Sequence, residues 1–322
     1  MSLYTKALSI GYNNQVLFEN INLSLNKGQL VCFMGPNGIG KSSLIRTLAG
    51  LQKPLAGEVN LSGNDSSFHP KEIAVVLTNK VTAANMTVYE LVTFGRYPYT
   101  NWNIKLSSHD LKAVEGAIEK VRLYDITDKR IAELSDGQLQ MTMIARAIAQ
   151  DTPIIMLDEP TAHLDLNNRV EIMRLLRSLS HEMNKAILVA THELDLALQT
   201  ADLIWLAGKN KNILKGIPED LVLNGSFDEI FQFKGFDLKT GKIQHQLFRE
   251  QTIFLTGTGH EFLWTKNALE RTGFKIISHA EDASTYGISV YVIVEESKPH
   301  WILNKYNQQY KLSSIEALIQ QL

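Results

Sequence analysis

The 322-residue sequence predicts an α/β protein: a core on a parallel sheet, an antiparallel β edge subdomain, a helical subdomain, and a small C-terminal α/β domain. Three observations predict it. Apolar runs at Leu30 to Met34, Ile154 to Leu157 and Ile187 to Ala190 are too short for buried helices, and each meets polar or turn residues at its C-terminal end. Amphipathic stretches separate such runs. In Arg169 to Ser180, Val170, Ile172, Met173, Leu175, Leu176 and Leu179 repeat at near-helical spacing. Alternating strands and helices give a parallel sheet, whose ligand crevice lies beyond the strand C-termini. Third, the chain changes character after about residue 225, where Gly225, Gly235 and Gly241 punctuate a polar stretch before a new strand-helix pattern. The expected domains are therefore 1–225 and 226–322, in line with roughly 150 residues per domain.

Taken in order, Ala7 to Ile10 and Val59 to Leu61 read as strands of the antiparallel edge. The run Leu30 to Met34 feeds a glycine-rich loop and then a helix through Leu44, Ile45 and Leu48. About 80 to 150 reads as the helical subdomain. Thr87-Val88-Tyr89-Glu90 and Ser135-Asp136-Gly137-Gln138 both fit a capping box, in which hydroxyl and acid or amide satisfy the exposed helix amides. The second of these helices runs through Met141 to Ala149 and stops at Asp151-Thr152-Pro153, because proline cannot continue the ladder. The C-terminal domain opens with strand Thr252 to Leu255. It continues with helix Phe262 to Arg271, strands Phe274 to Ile277 and Ile288 to Glu295, and a helix from Ser313. Phe254, Trp264 and Tyr291 are expected in its core. Thr256-Gly257-Thr258-Gly259-His260-Glu261 has Phe262 where a dinucleotide fingerprint needs its third glycine, so it reads as a tight turn, and His260 with Glu261 lacks further metal-ligand spacing.

Composition narrows the function classes. Hydrophobic residues at 44% and charged residues at 20% exclude a disordered or fibrous chain. Lys+Arg 32 against Asp+Glu 34, a net charge of -2, argues against a general polyanion binder and leaves room only for a local basic groove. A single cysteine, Cys32, rules out an intrachain disulfide and suits a reducing cytoplasm. No apolar stretch approaches the roughly 18 residues of a membrane span, and the first residues lack the order of a signal peptide. Any membrane role is expected through a partner.

Gly35-Pro36-Asn37-Gly38-Ile39-Gly40-Lys41-Ser42 fits G-x-x-x-x-G-K-[ST], a match expected by chance on the order of 0.01 times in such a chain. Its place between a strand and a helix is the one this phosphate-binding loop needs. Glycines let backbone amides curl around phosphate oxygens, and the helix N-terminus adds a positive dipole end. Lys41 is expected on the β- and γ-phosphates and Ser42 on Mg²⁺, with Ser43 beside it. Asp158 and Glu159 leave the second buried strand together: Asp158 suits Mg²⁺ and Glu159 suits a general base for the attacking water. His192 follows the third strand, so that it can reach a γ-phosphate.

With these motifs in this order the chain resembles an ATP-binding cassette (ABC) ATPase over roughly residues 1–225. Leu134-Ser135-Asp136-Gly137-Gln138 is similar to the LSGGQ signature, Ala162-His163-Leu164-Asp165 to the D-loop, His192 to the switch histidine and Tyr12 to the aromatic residue on adenine. The resemblance implies a RecA-like P-loop NTPase core. It also implies a head-to-tail homodimer with ATP and Mg²⁺ held between the loop of one copy and Ser135, Gly137 and Gln138 of the other. Catalysis would fall to Glu159, His192 and Lys41. Two departures stand out. Asp136 replaces the usual signature glycine: either its helix-start position offsets the charge or its side chain points away. The Q-loop glutamine is absent, and Thr78 stands in its place; Thr78 or Asn79 is left to present an oxygen to the metal or water.

Thr87 to Pro98 is similar to the T-V-x-E-L-V and G-R-x-P segment of importers of iron-siderophores, haem and cobalamin. That resemblance implies an importer subunit on the cytoplasmic side of a bacterial cell membrane, peripheral and coupled to separate permease subunits. A periplasmic or surface substrate-binding protein would be reached indirectly, and nucleic acid would not be a partner. Another ABC importer or exporter stays open, as does a non-transport cassette. The C-terminal domain is expected to strengthen or regulate the dimer.

Overall fold

The computed structural model describes residues 2–12, 15–61, 70–78, 85–100, 105–208, 210–243, 248–278, 287–295, 298–306 and 308–322. They fall into two compact units, 1–232 and 233–322. The boundary lies beyond the expected residue 225 because one more short helix, Ser226–Phe231, buries Phe227 and Ile230 and packs on the helix before it.

The first unit opens with β1 (Leu3–Tyr12), β2 (Gln15–Ile21) and β3 (Ser24–Leu25), continues through β4 (Leu30–Met34) and α1 (Lys41–Leu48), and reaches β5 (Ala56–Leu61). β1 pairs antiparallel with β2, β3 and β5, which forms the edge sheet. Next come β6 (Ile73–Val76), α2 (Val88–Thr93), α3 (Ser108–Lys120), α4 (Asp136–Ala149), β7 (Ile154–Asp158) and α5 (Leu166–His181). The unit ends with β8 (Ala186–Ala190), α6 (Leu194–Thr200), β9 (Leu203–Ala207), β10 (Ile213–Gly216), α7 (Pro218–Leu223) and α8 (Ser226–Phe231). The main sheet has the order β10-β9-β4-β8-β7-β6, parallel except for the β9–β10 pair. β4, β7 and β8 are buried at every position, which is why their sequences are continuous apolar runs rather than alternating ones. Cys32 sits inside β4, and burial pushes its thiol up to about 12, so it is an inert core side chain.

Both expected capping boxes form, Thr87 with Glu90 on α2 and Ser135 with Gln138 on α4. A third, Ser107 with Asp110, opens α3. The Gly95-Arg96 pair of the importer-like segment is structural. Arg96 is 1% exposed. It donates from Nε to Asp110 Oδ1 at 2.8 Å and from Nη1 to the Ala149 carbonyl at 2.9 Å, and its guanidinium lies 3.9 Å from the Tyr99 ring centroid. A Cβ on Gly95 would stand 2.3 Å from the Arg146 carbonyl, so only glycine lets this turn approach α4. α4 is tied to the sheet as well, by Arg146 Nη2 to the Val75 carbonyl at 2.9 Å and Gln150 Nε2 to the Ile73 carbonyl at 3.2 Å.

Hydrogen bonds from Ser107, with help from Arg96, hold the Asp110 carboxyl down to about 2. A depressed folded-state value contributes stability that is full above the unfolded carboxylate range, near 3.9, and is lost as pH falls through about 2. Asp110→Asn is therefore expected to lower the urea midpoint at pH 7, with the gap to wild type constant down to about pH 5 and narrowing below it. Urea titrations at pH 7, 5, 4 and 3 check this; a gap that widens on acidification would contradict it.

The second unit contains the short pair β11 (Phe236–Asp237) and β12 (Lys242–Ile243). β13 (Thr252–Thr256), α9 (Gly259–Arg271), β14 (Lys275–Ile277), β15 (Ile288–Glu295), β16 (Lys298–Lys305), β17 (Gln308–Leu312) and α10 (Ile315–Gln321) follow. The order is β14-β13-β15-β16-β17, with β13 parallel to both neighbours and the rest antiparallel. Ile253, Leu255, Leu269, Phe274, Val290 and Leu318 form its core. Phe254 is buried and meets Tyr291 edge to face. The core placement expected for Trp264 is corrected: it is 64% exposed, because α9 turns Thr265 and Leu269 inward and leaves the preceding position outside. No helix among the described residues is long and apolar enough to cross a membrane.

Candidate active site

The site grows from three neighbouring strands of the main sheet. β4 delivers the loop 35–40 into α1, whose N-cap is Gly40 with no side-chain cap, so the first amides of α1 face the loop. Gly38 (φ 76°) and Gly40 (φ 109°) hold left-handed backbone that a Cβ would strain, and at Gly40 it would also stand 2.9 Å from Leu17 Cδ1. Lys41 is 7% exposed and donates from Nζ to the Gly35 carbonyl at 3.1 Å. Ser42 and Ser43 occupy the same first turn, half-buried; Pro36 and Ile39 close the loop, with the Ile39 N–H on the Pro36 carbonyl at 3.3 Å.

β7 ends on Asp158, 3% exposed. Its Oδ2 accepts from Thr78 Oγ1 at 3.0 Å, whereas its Oδ1 is buried and finds no partner among the described residues. Glu159 follows at φ 50°, a left-handed conformation that costs a non-glycine residue about 1–2 kcal/mol. Its N–H bonds the Ala190 carbonyl of β8 at 2.9 Å, which fixes the turn. The strain aims the carboxylate at two partners: Oε1 lies 3.6 Å from Lys41 Nζ, and Oε2 lies 2.6 Å from His192 Nδ1. Lys41, Glu159 and His192 thus form one connected group, with Asp158 and Thr78 joined beside it.

The start of α4 reaches the same place. A cavity of 360 Å³ has Thr78, Asp136, Gln140, Glu159 and His163 on its wall. Asp136 is exposed there. Ser135 Oγ accepts from the Gln138 N–H at 3.2 Å and Gln138 Oε1 from the Ser135 N–H at 3.2 Å, while Gly137 is buried, a Cβ on it standing 3.1 Å from Asn168 Nδ2. Tyr12 ends β1 with 52% of its surface exposed and is not part of this network. Asn79 lies outside the described residues. Sequence reading did not single out Arg169 and Glu193, which bond each other at 2.7 Å beside His192. They are 24 positions apart, and spacing carries no signal for such a contact.

A buried carboxylate oxygen without a partner needs a cation or a donor, so the Asp158 side chain together with the Ser42 hydroxyl fits a hard divalent ion such as Mg²⁺. The group as a whole can bind a polyphosphate on amides and Lys41, and take a proton from water on Glu159.

The ABC transporter family profile matches residues 18–162, and the profile of the iron ABC transporter C-terminal domain matches 250–322. An ABC transporter ATP-binding protein of Methanocaldococcus jannaschii is 39% identical over 76% of this chain and 89% of its own length. The iron(3+)-hydroxamate import ATP-binding protein of Bacillus subtilis is 32% identical over 72% of this chain and 88% of its own length. Among solved structures, a dimeric ATP-binding cassette in a post-hydrolysis state, bound to ADP and Pi, superposes with TM-score 0.58 at 27% identity, covering 67% of this chain and 98% of that one. By sequence, by fold and by the motifs its strands present, the chain belongs to the ABC transporter family as a nucleotide-binding ATPase subunit.

Proposed function

We propose that this subunit powers uptake of an iron chelate through a separate membrane permease, hydrolysing ATP at the interface of a homodimer. ATP lies with its adenine on Tyr12 and its phosphates on the amides of 35–43, and Lys41 holds the β- and γ-phosphates. Ser135, Gly137 and Gln138 of the second copy close on the γ-phosphate from a helix start, which favours an anion. Glu159 takes the proton of the attacking water, and His192 contacts the γ-phosphate. Ser42 and Asp158 would hold Mg²⁺, with Thr78 bonded to Asp158 at 3.0 Å in the place where the resemblance implies a glutamine. The ion, when bound, supplies charge neutralisation on the β- and γ-phosphates.

The observation that carries the reading is the Lys41–Glu159–His192 group, in which one carboxylate lies 3.6 Å from the phosphate-binding lysine and 2.6 Å from the histidine. The importing relative of Bacillus subtilis and the match to the iron-type C-terminal domain support the cargo class. In the same reading the permease is a separate set of subunits, reached from the cytoplasmic face through the helical subdomain. The test is pull-down of the permease from membranes, followed by ATPase measurement with candidate chelates. Stimulation by an iron chelate is expected; stimulation by an unrelated solute alone would overturn the cargo.

A further inference from the structure

α5 and the segment after β8 meet at an ionic contact that the motifs above do not use. Arg169 Nη1 donates to Glu193 Oε2 at 2.7 Å, the short length of a charge-assisted bond. Glu193 is itself well held: its N–H donates to Thr191 Oγ1 at 3.0 Å, and its carbonyl accepts from the Ala197 N–H at 3.1 Å at the start of α6. Its other oxygen, Oε1, stands 3.8 Å from His192 Nε2, while His192 Nδ1 is on Glu159 at 2.6 Å. The imidazole therefore lies between two carboxylates, one toward each ring nitrogen. They are not equivalent. Glu159 is shared with Lys41 and has to serve the water, whereas Glu193 is anchored by Arg169 alone among the cations near it in the described contacts.

We propose that Arg169 is a positioning residue for hydrolysis: by anchoring Glu193 it fixes the orientation of the His192 ring. The inference rests on the proposed function in one respect, that His192 addresses the γ-phosphate. The physical requirement is placement. A contact to a transferring phosphate loses much of its effect when the group shifts by about 1 Å. The His192 side chain is 50% exposed, so packing alone does not hold the ring. An anchored carboxylate 3.8 Å from Nε2, beyond hydrogen-bond length, restrains the ring electrostatically from the side away from Glu159, and it persists when Glu159 turns to the water. A purely structural strap between α5 and α6 is the competing account. Loss of such a strap, whose side chains are 29% and 20% exposed, would lower the melting temperature and leave the His192 ring signals in place, which is the difference the test reads.

The test uses the full chain with Arg169→Ala, Arg169→Lys and Glu193→Gln. It reads kcat and KM for ATP, the melting temperature, and the ring resonances of His192 assigned by their loss in His192→Ala. Arg169→Ala and Glu193→Gln are expected to lower kcat about tenfold with KM within about twofold, and to shift the His192 signals. Arg169→Lys should recover most of the rate. Unmoved ring signals, or a rate loss that only follows a fall in melting temperature, would overturn the inference. A wild-type chain that never cleaves ATP would instead sink the proposed function, and the ring signals would still judge this one.

Discussion

Glu159→Gln is expected to abolish turnover while leaving ATP binding intact, so that the variant accumulates as an ATP-bound dimer. The amide keeps the size and most contacts of the carboxylate but cannot take a proton from water, and loss of a general base costs about 10²–10⁴-fold in rate. Lys41 retains its bond to the Gly35 carbonyl at 3.1 Å, so the loop that grips phosphate is not dismantled. Because the γ-phosphate bridges two copies in this reading, its persistence keeps the copies together. Gel filtration with ATP and Mg²⁺, alongside phosphate release, measures both halves. A variant that turns over at the wild-type rate, or elutes as a monomer with ATP bound, would contradict the assignment.

Arg96→Leu is expected to be the most destabilising single change in the helical subdomain. Arg96 and Asp110 have side chains 2% and 8% exposed and meet at 2.8 Å. Removing one partner leaves a buried carboxylate facing an apolar group and orphans the Ala149 carbonyl, a combination that costs about 3–5 kcal/mol. Chemical denaturation should show that loss. The double variant Arg96→Leu with Asp110→Asn should be less destabilised than the single, because it removes the unpaired charge while keeping an oxygen for the Ser107 cap. Equal losses for single and double would mean that packing, not charge, holds the site.

Much of the site was legible because its chemistry dictates spacing. A phosphate cradle needs its glycines, lysine and serine at fixed offsets after a strand, so the candidate loop 35–42 is legible from spacing, as are the buried strands that Asp158 ends and His192 follows. What was not legible depends on tertiary partners. Thr78 could be aligned with the missing glutamine, but its bond to Asp158 Oδ2 spans 80 positions. Arg96 read as part of an importer-like string, and nothing in that string announced a fully buried cation. In the second unit, β16 and β17 lack a clear strand pattern because their residues are largely half-exposed and mix lysines and glutamines with the apolar positions. The outward placement of Trp264 is not legible in the sequence, because Thr265 and Leu269, not the size of the indole, set which side of α9 faces the sheet.

α4 is capped by Ser135 and gripped at its far end by Arg96 and by the close approach of Gly95. Its 14 residues span about 21 Å without a proline or glycine break after the first turn. Such a rod transmits displacement rather than absorbing it. A push on the turn at 94–99 falls on the Arg146–Gln150 end, where the helix is also bonded to β6, and is carried to the 135–138 end as a shift of the whole helix. Mechanical communication between the outer surface of this subdomain and the nucleotide then requires no unfolding and no relay of side chains, only the stiffness of one helix.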